Sequence, residues 1–209
     1  MIAVDGPAAS GKGTIARALA EHFGLPHMDT GMLYRSVALN LWRWGGDPAS
    51  EFEALRACEA VAANPSDDPE LRSEAVSSIA SRISAYPSVR AALLDRQKEF
   101  AGRPGGAVLD GRDIGTVIAP EATAKLYVTA SAEVRAQRRV RELLARGIPA
   151  HFEDVLIDIE ARDARDSGRT AAPLQKASDA LLLDTSDLTV EEAVAEAIRL
   201  VSQRVAENT

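Results

Sequence analysis

The residues best suited to chemistry form one run, Gly6-Pro7-Ala8-Ala9-Ser10-Gly11-Lys12-Gly13-Thr14. An apolar stretch, Met1 to Val4, precedes it, and a helix-patterned stretch, Ile15 to Phe23, follows. Strand, glycine-rich loop and helix in that order make a phosphate-binding loop. Gly6 and Gly11 admit backbone conformations that a Cβ resists, so successive N–H groups can converge on one small volume. The helix opening near Gly11 adds its unpaired N–H groups and the positive end of its dipole. Lys12 supplies a mobile charge for the outer phosphates. The run is therefore expected to grip a nucleoside triphosphate, ATP in the first instance. Gly13 stands where most such loops carry Ser or Thr, so Thr14 becomes the candidate for the hydroxyl that helps place Mg2+.

Three further clusters carry charge in suggestive places. Asp29-Thr30-Gly31-Met32-Leu33-Tyr34-Arg35 puts an acid, a hydroxyl and a glycine at a helix start, with Arg35 able to reach a bound phosphate. The bland reading of that start is an ordinary helix cap. Asp110-Gly111-Arg112-Asp113 follows an apolar run. Asp110 has the place of the strand-end acid that holds magnesium-bound water in phosphoryl-transfer sites. Gly111 is expected to permit a sharp turn from which Arg112 and Asp113 project. Between Glu160 and Arg169, residues Arg162, Arg165 and Arg169 lie three and four apart, the spacing of one helix face, with Asp163 and Asp166 among them. Two readings of this stretch stay open: a solvated helix laced with ion pairs, or an arginine clamp on a phosphoryl group in flight.

The elements that must position these clusters are legible in outline. Short apolar runs at Ile2 to Val4, Ala107 to Leu109, Leu126 to Val128 and Leu181 to Leu183 read as strands covered on both faces, with His27-Met28 as a very short fifth. Helical patterns lie between them at 11–23, 32–44 and 132–146. A last helix starts at a capping box, Thr189 with Glu192, and carries Val190, Val194, Ile198, Val201 and Val205 at helical spacing. Alternating strands and helices predict a parallel sheet between two helical layers, with ligands beyond the carboxyl ends of the strands. Those ends carry Asp5, Asp29, Asp110 and Asp184. Two segments break the alternation. Residues 45–87 are rich in Gly and Pro, look helical over 51–63 and 70–86, and read as a small insertion. Residues 147–173 hold a charged helix that can move as a lid. The whole chain, 1–209, is expected to be one domain.

Composition narrows the function classes. The chain has 209 residues, 46% of them apolar and 26% charged, enough for one well-buried core. A net charge of −7 and 4% aromatics disfavour binding to nucleic acid or to anionic membranes. Of 24 basic residues 20 are Arg, the side chain suited to forked recognition of phosphate. A single cysteine, Cys58, permits no intrachain disulfide and reads as a small core or surface residue. His22, His27 and His151 share no metal-ligand spacing and read as surface or packing residues. With no signal-like opening and no apolar run of about 18 residues, the expected location is the cytoplasm.

Taken in order, Gly-Pro-x-x-x-Gly-Lys-Gly-Thr, Asp-Thr-Gly-x-x-Tyr-Arg, Asp-Gly-Arg-Asp-x-Gly-Thr and Arg-Asp-x-Arg-Asp-x-x-Arg resemble the bacterial cytidylate kinases, from Ile2 to about Ile198. The resemblance implies a phosphate-loop NTPase fold of three layers, α/β/α, with a parallel five-stranded sheet, a monophosphate-binding insertion and a helical lid. It implies phosphoryl transfer from ATP to CMP or dCMP with Mg2+, by a monomer. Residues 6–14 would hold the ATP phosphates. Thr30, Arg90 and Asp113 match the family's cytosine-reading positions. Ser81 and Asp166, with Arg162, match groups around the sugar. Arg35, Arg112 and Arg169 match groups on the monophosphate, and Arg165 belongs to the lid. Many members carry a β-rich insertion where residues 45–80 here show no strand pattern. A kinase for another monophosphate, such as UMP or AMP, is the nearest alternative. A kinase for a small hydroxyl and a nucleotide-dependent switch lie further off, since the arginines favour an anionic acceptor and no Asn-Lys-x-Asp motif is present.

Overall fold

The computed structural model of the chain describes residues 1–61 and 68–207. Five strands, β1 (Ile2–Asp5), β2 (His27–Asp29), β3 (Val108–Gly111), β4 (Ala124–Thr129) and β5 (Leu181–Asp184), form one wholly parallel sheet in the order β2-β3-β1-β4-β5. The eight α-helices among the described residues are α1 (Lys12–Phe23), α2 (Thr30–Arg43), α3 (Glu51–Glu59), α4 (Glu74–Ile83), α5 (Pro87–Ala101), α6 (Ala132–Ala145), α7 (Phe152–Ser167) and α8 (Val190–Glu207).

Both faces of the central strands are covered. On one face Ile15, Ala16 and Leu19 of α1 pack with Ala193, Ala197 and Val201 of α8 against Val4, Leu126 and Val128. On the other, Leu94 and Phe100 of α5 and the buried Ile114 and Ile118 pack against Ala3 and Leu109. The chain leaves β1 toward β2 on one side and leaves β3 toward β4 on the other. A crevice therefore opens at the carboxyl ends of β1 and β3, where parallel sheets of this kind hold ligands. Register places Asp29 beside Asp110, Val4 beside Asp110 and Asp5 beside Gly111, so three acids from distant parts of the sequence meet at one edge of the sheet.

The segment between α2 and β3 packs as helices. Ala54 and Ala57 of α3, Val76, Ala80 and Ile83 of α4, and Val89 and Leu93 of α5 share one buried cluster with Leu33, Val37 and Leu41 of α2. No strand occurs among the described residues of 45–87. The helix expected over 51–63 is observed as Glu51–Glu59. Residues 62–67, with Pro65 and Asp67, lie outside the described residues. The charged stretch after α6 forms α7, which pairs with α6 through Ala136, Leu143, Val155 and Ile159.

Some sequence expectations are corrected. The strand β5 is not covered on both faces: it is an edge strand, and Leu182 is 57% exposed. The apolar stripe expected on α8 packs against the core through Val194, Ile198, Val201 and Val205, joined by the buried Ala193 and Ala197, whereas Val190 at the start of the helix is exposed. The capping box is present: the Glu192 N–H donates to the Thr189 hydroxyl and the Thr189 N–H to the Glu192 carboxylate. Gly111 is a strand residue rather than the pivot of a turn. A Cβ there would lie 2.6 Å from the Thr30 hydroxyl oxygen, so glycine is needed for close approach. No helix among the described residues is long and apolar enough to cross a membrane.

Candidate active site

A cavity of about 320 Å³ lies over the crevice. Its floor is Ala8, Ala9, Lys12 and Gly13, its walls come from the starts of α2 and α5 and from α4, and α7 closes the far side. Seven basic and seven acidic side chains line it among the described residues, so it is a lattice of oriented charges rather than a uniformly positive hole.

The phosphate-loop side is built by backbone. Gly6 has φ +156°, and a Cβ on it would sit 2.0 Å from the Val128 carbonyl oxygen. Gly11, in the left-handed region at φ 88°, precedes the first residue of α1. Ala9 holds φ 58°, a conformation that costs a non-glycine residue about 1 kcal/mol or more. Pro7 and Ser10 are buried beneath the loop, and the Ser10 hydroxyl has no partner. The Lys12 ammonium donates to the Pro7 carbonyl at 3.3 Å. Burial and the neighbouring Arg112 push its pKa down to about 7. Its charge thus lacks full compensation until an anion arrives.

Beside the loop, Asp110 is buried, and its Oδ1 lies 2.7 Å from Nε2 of His27. Its other oxygen, Oδ2, faces Gly13, 3.8 Å from where a Cβ would stand. Thr14 is exposed at the start of α1 and accepts from Arg17 at 3.4 Å. One carboxylate oxygen and one hydroxyl are hard donors suited to Mg2+, which keeps most of its ligands as water and phosphate oxygens. The described residues hold no cluster of three or more His, Cys, Asp or Glu that would bind a metal unaided.

The opposite side is built by side chains from five separate elements. The buried Thr30 hydroxyl, at the first turn of α2, donates to the Asp110 carbonyl at 2.8 Å. Arg35, one turn on, pairs with Asp29 at 2.7 Å. Burial pushes the Asp29 carboxyl up, but Arg35 and Lys12 more than offset this and hold it low. Arg90 from α5 donates to Asp113, and its guanidinium lies 5.7 Å from the centre of the Tyr34 ring. The Tyr34 hydroxyl is buried among the pocket residues. Asp166, from α7, receives Arg112 Nε at 2.8 Å on one oxygen and Arg169 on the other. Burial opposes its charge, yet Arg112, Arg169 and Arg162 keep its pKa below the usual carboxylate range. Arg162 makes no ion pair among the described residues. Burial and Arg112 lower its pKa to about 10, and its Nε is buried without a partner.

Asp5 closes the construction from below. Its two carboxylate oxygens accept the Ile114 and Gly115 N–H groups, each at 2.8 Å, and hold the single π turn Ile114–Ile118 that follows Asp113. Burial pushes its pKa up to about 6.

The cavity gathers Ala8, Ala9, Lys12, Gly13, Thr30, Arg35, Ser81, Arg90, Asp110, Arg112, Asp113, Arg162, Asp166 and Arg169. It does not take in Gly6, Pro7, Ser10, Gly11 or Thr14 of the loop, nor Arg165 or Asp184. The three arginines expected on one helix face are not on one face: α7 ends at Ser167, and the inward stripe is Val155, Ile159, Arg162 and Asp166. Helical rotation turns the exposed Arg165 to the rim, where its Nε donates to Ser81 at 3.4 Å. Asp163 pairs with Arg135 of α6 at 2.6 Å. Asp184, on the edge strand, accepts from Ser186. Sequence reasoning overlooked Ser84 and Arg139 and did not find the partner of His27. The only signal for His27 was its place two residues before Asp29 on a strand; its partner became visible once β2 was known to lie beside β3. Arg139 of α6 reaches Glu74 of α4 across the cavity mouth.

The comparisons with known proteins agree with this geometry. A model of the family described as cytidylate kinase matches residues 2–203. A cytidylate kinase of Methylocella silvestris is 55% identical over 201 residues, 96% of this chain and 93% of the relative. One from Xanthobacter autotrophicus is 55% identical over 98% of both chains, and one from a Methylobacterium is 59% identical over 86% of both. A solved structure of an uncharacterized protein from Eubacterium ventriosum superposes with a TM-score of 0.56 over 97% of both chains at 14% identity, a likeness of fold alone. The phosphate loop, the paired arginines and acids around one cavity, and matches that run nearly end to end lead to one assignment: the chain belongs to the cytidylate kinase family.

Proposed function

We propose that the chain transfers the γ-phosphoryl group of ATP to CMP or dCMP, giving ADP and CDP or dCDP. The observation that carries the reading is the shared cavity. Lys12 and the phosphate loop floor one side, and Arg35, Arg112, Arg162 and Arg169 stand on the other. Residues 6–14 hold the triphosphate by backbone N–H groups and Lys12. Thr30, Arg90 and Asp113 read the cytosine, Ser81, Asp166 and Arg162 hold the sugar, and Arg35, Arg112 and Arg169 hold the monophosphate. Asp113 accepts from an amino group that uracil lacks, which favours CMP over UMP.

The nucleophile is an oxygen of the CMP phosphate, already largely ionised, so no general base is required. A bond forms from that oxygen to the γ-phosphorus while the bond to the ADP oxygen breaks. Lys12 and the arginines offset the repulsion between two anions and the charge of the transition state. Mg2+ would be held by Thr14 and, through water, by Asp110, and it would screen the phosphate oxygens. Residues 45–87 form the monophosphate-binding insertion and 147–173 the lid of a single domain. Arg165 sits at the rim of that lid, able to reach inward as it closes. Closure excludes water, which would otherwise consume ATP. The reading takes the chain to act as a monomer in the cytoplasm, and its net charge of −7 disfavours binding to nucleic acid or anionic membranes. The test is ADP release with ATP and CMP, dCMP, UMP or AMP in turn. Release with CMP or dCMP well above the other two is expected, and equal rates with UMP or AMP would overturn the base assignment.

A further inference from the structure

The α4 helix ends at Ile83, and the residue that terminates it is Ser84. The last carbonyls of a helix have no intrahelical donors and carry the negative end of its dipole, so they attract cations. Two guanidinium groups have gathered there. Arg90 donates through Nη1 to the Ser84 carbonyl at 3.3 Å, and Arg169 donates through Nη2 to the Ser84 hydroxyl at 2.8 Å. That hydroxyl in turn donates to the Ser81 carbonyl at 2.9 Å. Ser84 is buried and lines the cavity.

A hydroxyl has one proton and two lone pairs. At Ser84 the proton is committed to the helix and a lone pair to Arg169, so the direction of the Oγ atom is set by the helix end. Nη2 of Arg169 is then held from two sides, by Ser84 and by Asp166, and its Nε remains buried without a partner. Pinning one nitrogen orients the planar fork and presents the rest of it to the cavity. The same residue, through its carbonyl, holds Arg90 against Asp113.

We infer that Ser84 is a positioning residue which locks the orientation of Arg169, and so couples the monophosphate clamp to the end of the helix that also holds Arg90. This rests on the functional reading above. Ser84→Ala should raise the KM for CMP about tenfold, the scale of a hydrogen bond to a charged group, and leave the KM for ATP within twofold. Ser84→Thr, which retains the hydroxyl, should restore most of the loss. In an Arg169→Ala background, adding Ser84→Ala should change the KM for CMP by less than twofold. Unfolding midpoints identify any variant whose fold is lost, and the Thr variant keeps the test open if the Ala variant fails to fold. A KM for CMP unchanged in Ser84→Ala, failure of Thr to rescue, or effects that multiply in the double variant would each overturn the inference. Turnover of CMP by the unsubstituted chain tests the functional reading separately, because the Ser84 comparison is a ratio to the parent on whichever nucleoside monophosphate it accepts.

Discussion

The two halves of the cavity hold charge in different ways. On the phosphate-loop side the donors are backbone N–H groups and one lysine, all within nine consecutive residues. On the other side the donors are guanidinium groups from α2, α5, the turn after β3, α7 and the segment after it; Arg35, Arg90, Arg112 and Arg169 are each braced by a carboxylate, and Arg162 by none among the described residues. The first design depends on local backbone conformation and tolerates little change of shape. The second depends on long-range packing and is tuned by side-chain chemistry. In the proposed reaction the loop takes the triphosphate, and the lattice selects which acceptor stands opposite it.

Substitutions can break or sharpen that contrast. The largest effect is expected at Lys12. Lys12→Met should fold normally and lose at least ~10²–10³ in kcat, the scale of one lost transition-state donor. Near-normal turnover in a folded variant would remove the lysine from the mechanism. Next comes Asp113→Asn on the lattice side, expected to lower kcat/KM for CMP by roughly 10–100-fold with little change in the KM for ATP. A four-nucleotide assay showing an unchanged ranking would count against base reading by this carboxylate. Gly6→Ala probes the backbone design. Its Cβ would overlap the Val128 carbonyl, so a loss of ~1–3 kcal/mol in urea unfolding is expected, together with weaker ATP binding. An undisturbed variant would show that the loop yields more easily than its geometry suggests.

Lys12 also makes a pH prediction. Its pKa falls to about 7 in the folded chain from 10.5 in the unfolded one. Below pH 7 it is protonated in both states, and the folded state bears the whole cost of the buried charge. Between 7 and 10.5 the unfolded state binds more protons, so stability rises with pH as the cost is relieved. Lys12→Met should therefore raise the thermal midpoint of the unliganded protein most below pH 7, with the gain shrinking toward pH 10. A gain independent of pH would argue against a depressed pKa. The smallest effect is expected at Ala9, where Ala9→Gly relieves the left-handed backbone and should stabilise by at most ~1 kcal/mol, read by denaturant unfolding.

Legibility divided along the same line. The phosphate loop could be read from residue types and order because its function is local. The base- and sugar-contacting roles proposed for Thr30, Ser81, Arg90 and Asp113 came from family resemblance; the residues alone marked the clusters around Thr30 and Asp113, but nothing local marks Ser81 or Arg90. The clamp in α7 was half legible. Its charges were visible, but the inward stripe proved to be Arg162 and Asp166, with Arg165 turned out, because Val155 and Ile159 set the buried face of the helix against α6. The contact between His27 and Asp110 was not legible because the two are 83 residues apart and become adjacent only through the β2–β3 register.

By itself the amino-acid sequence determined the alternation of strands and helices, the phosphate loop, the capping box at Thr189 and the strand-end acids, all of which follow from short-range periodicity and turn chemistry. Tertiary structure alone decided which arginine meets which acid, that Gly111 serves close approach rather than a turn, that β5 forms an exposed edge, and that Ser84 ties Arg90 to Arg169. Those outcomes depend on sheet order and helix rotation. Both are set by the burial of the whole apolar surface at once, a sum over distant residues that no local window of the chain contains.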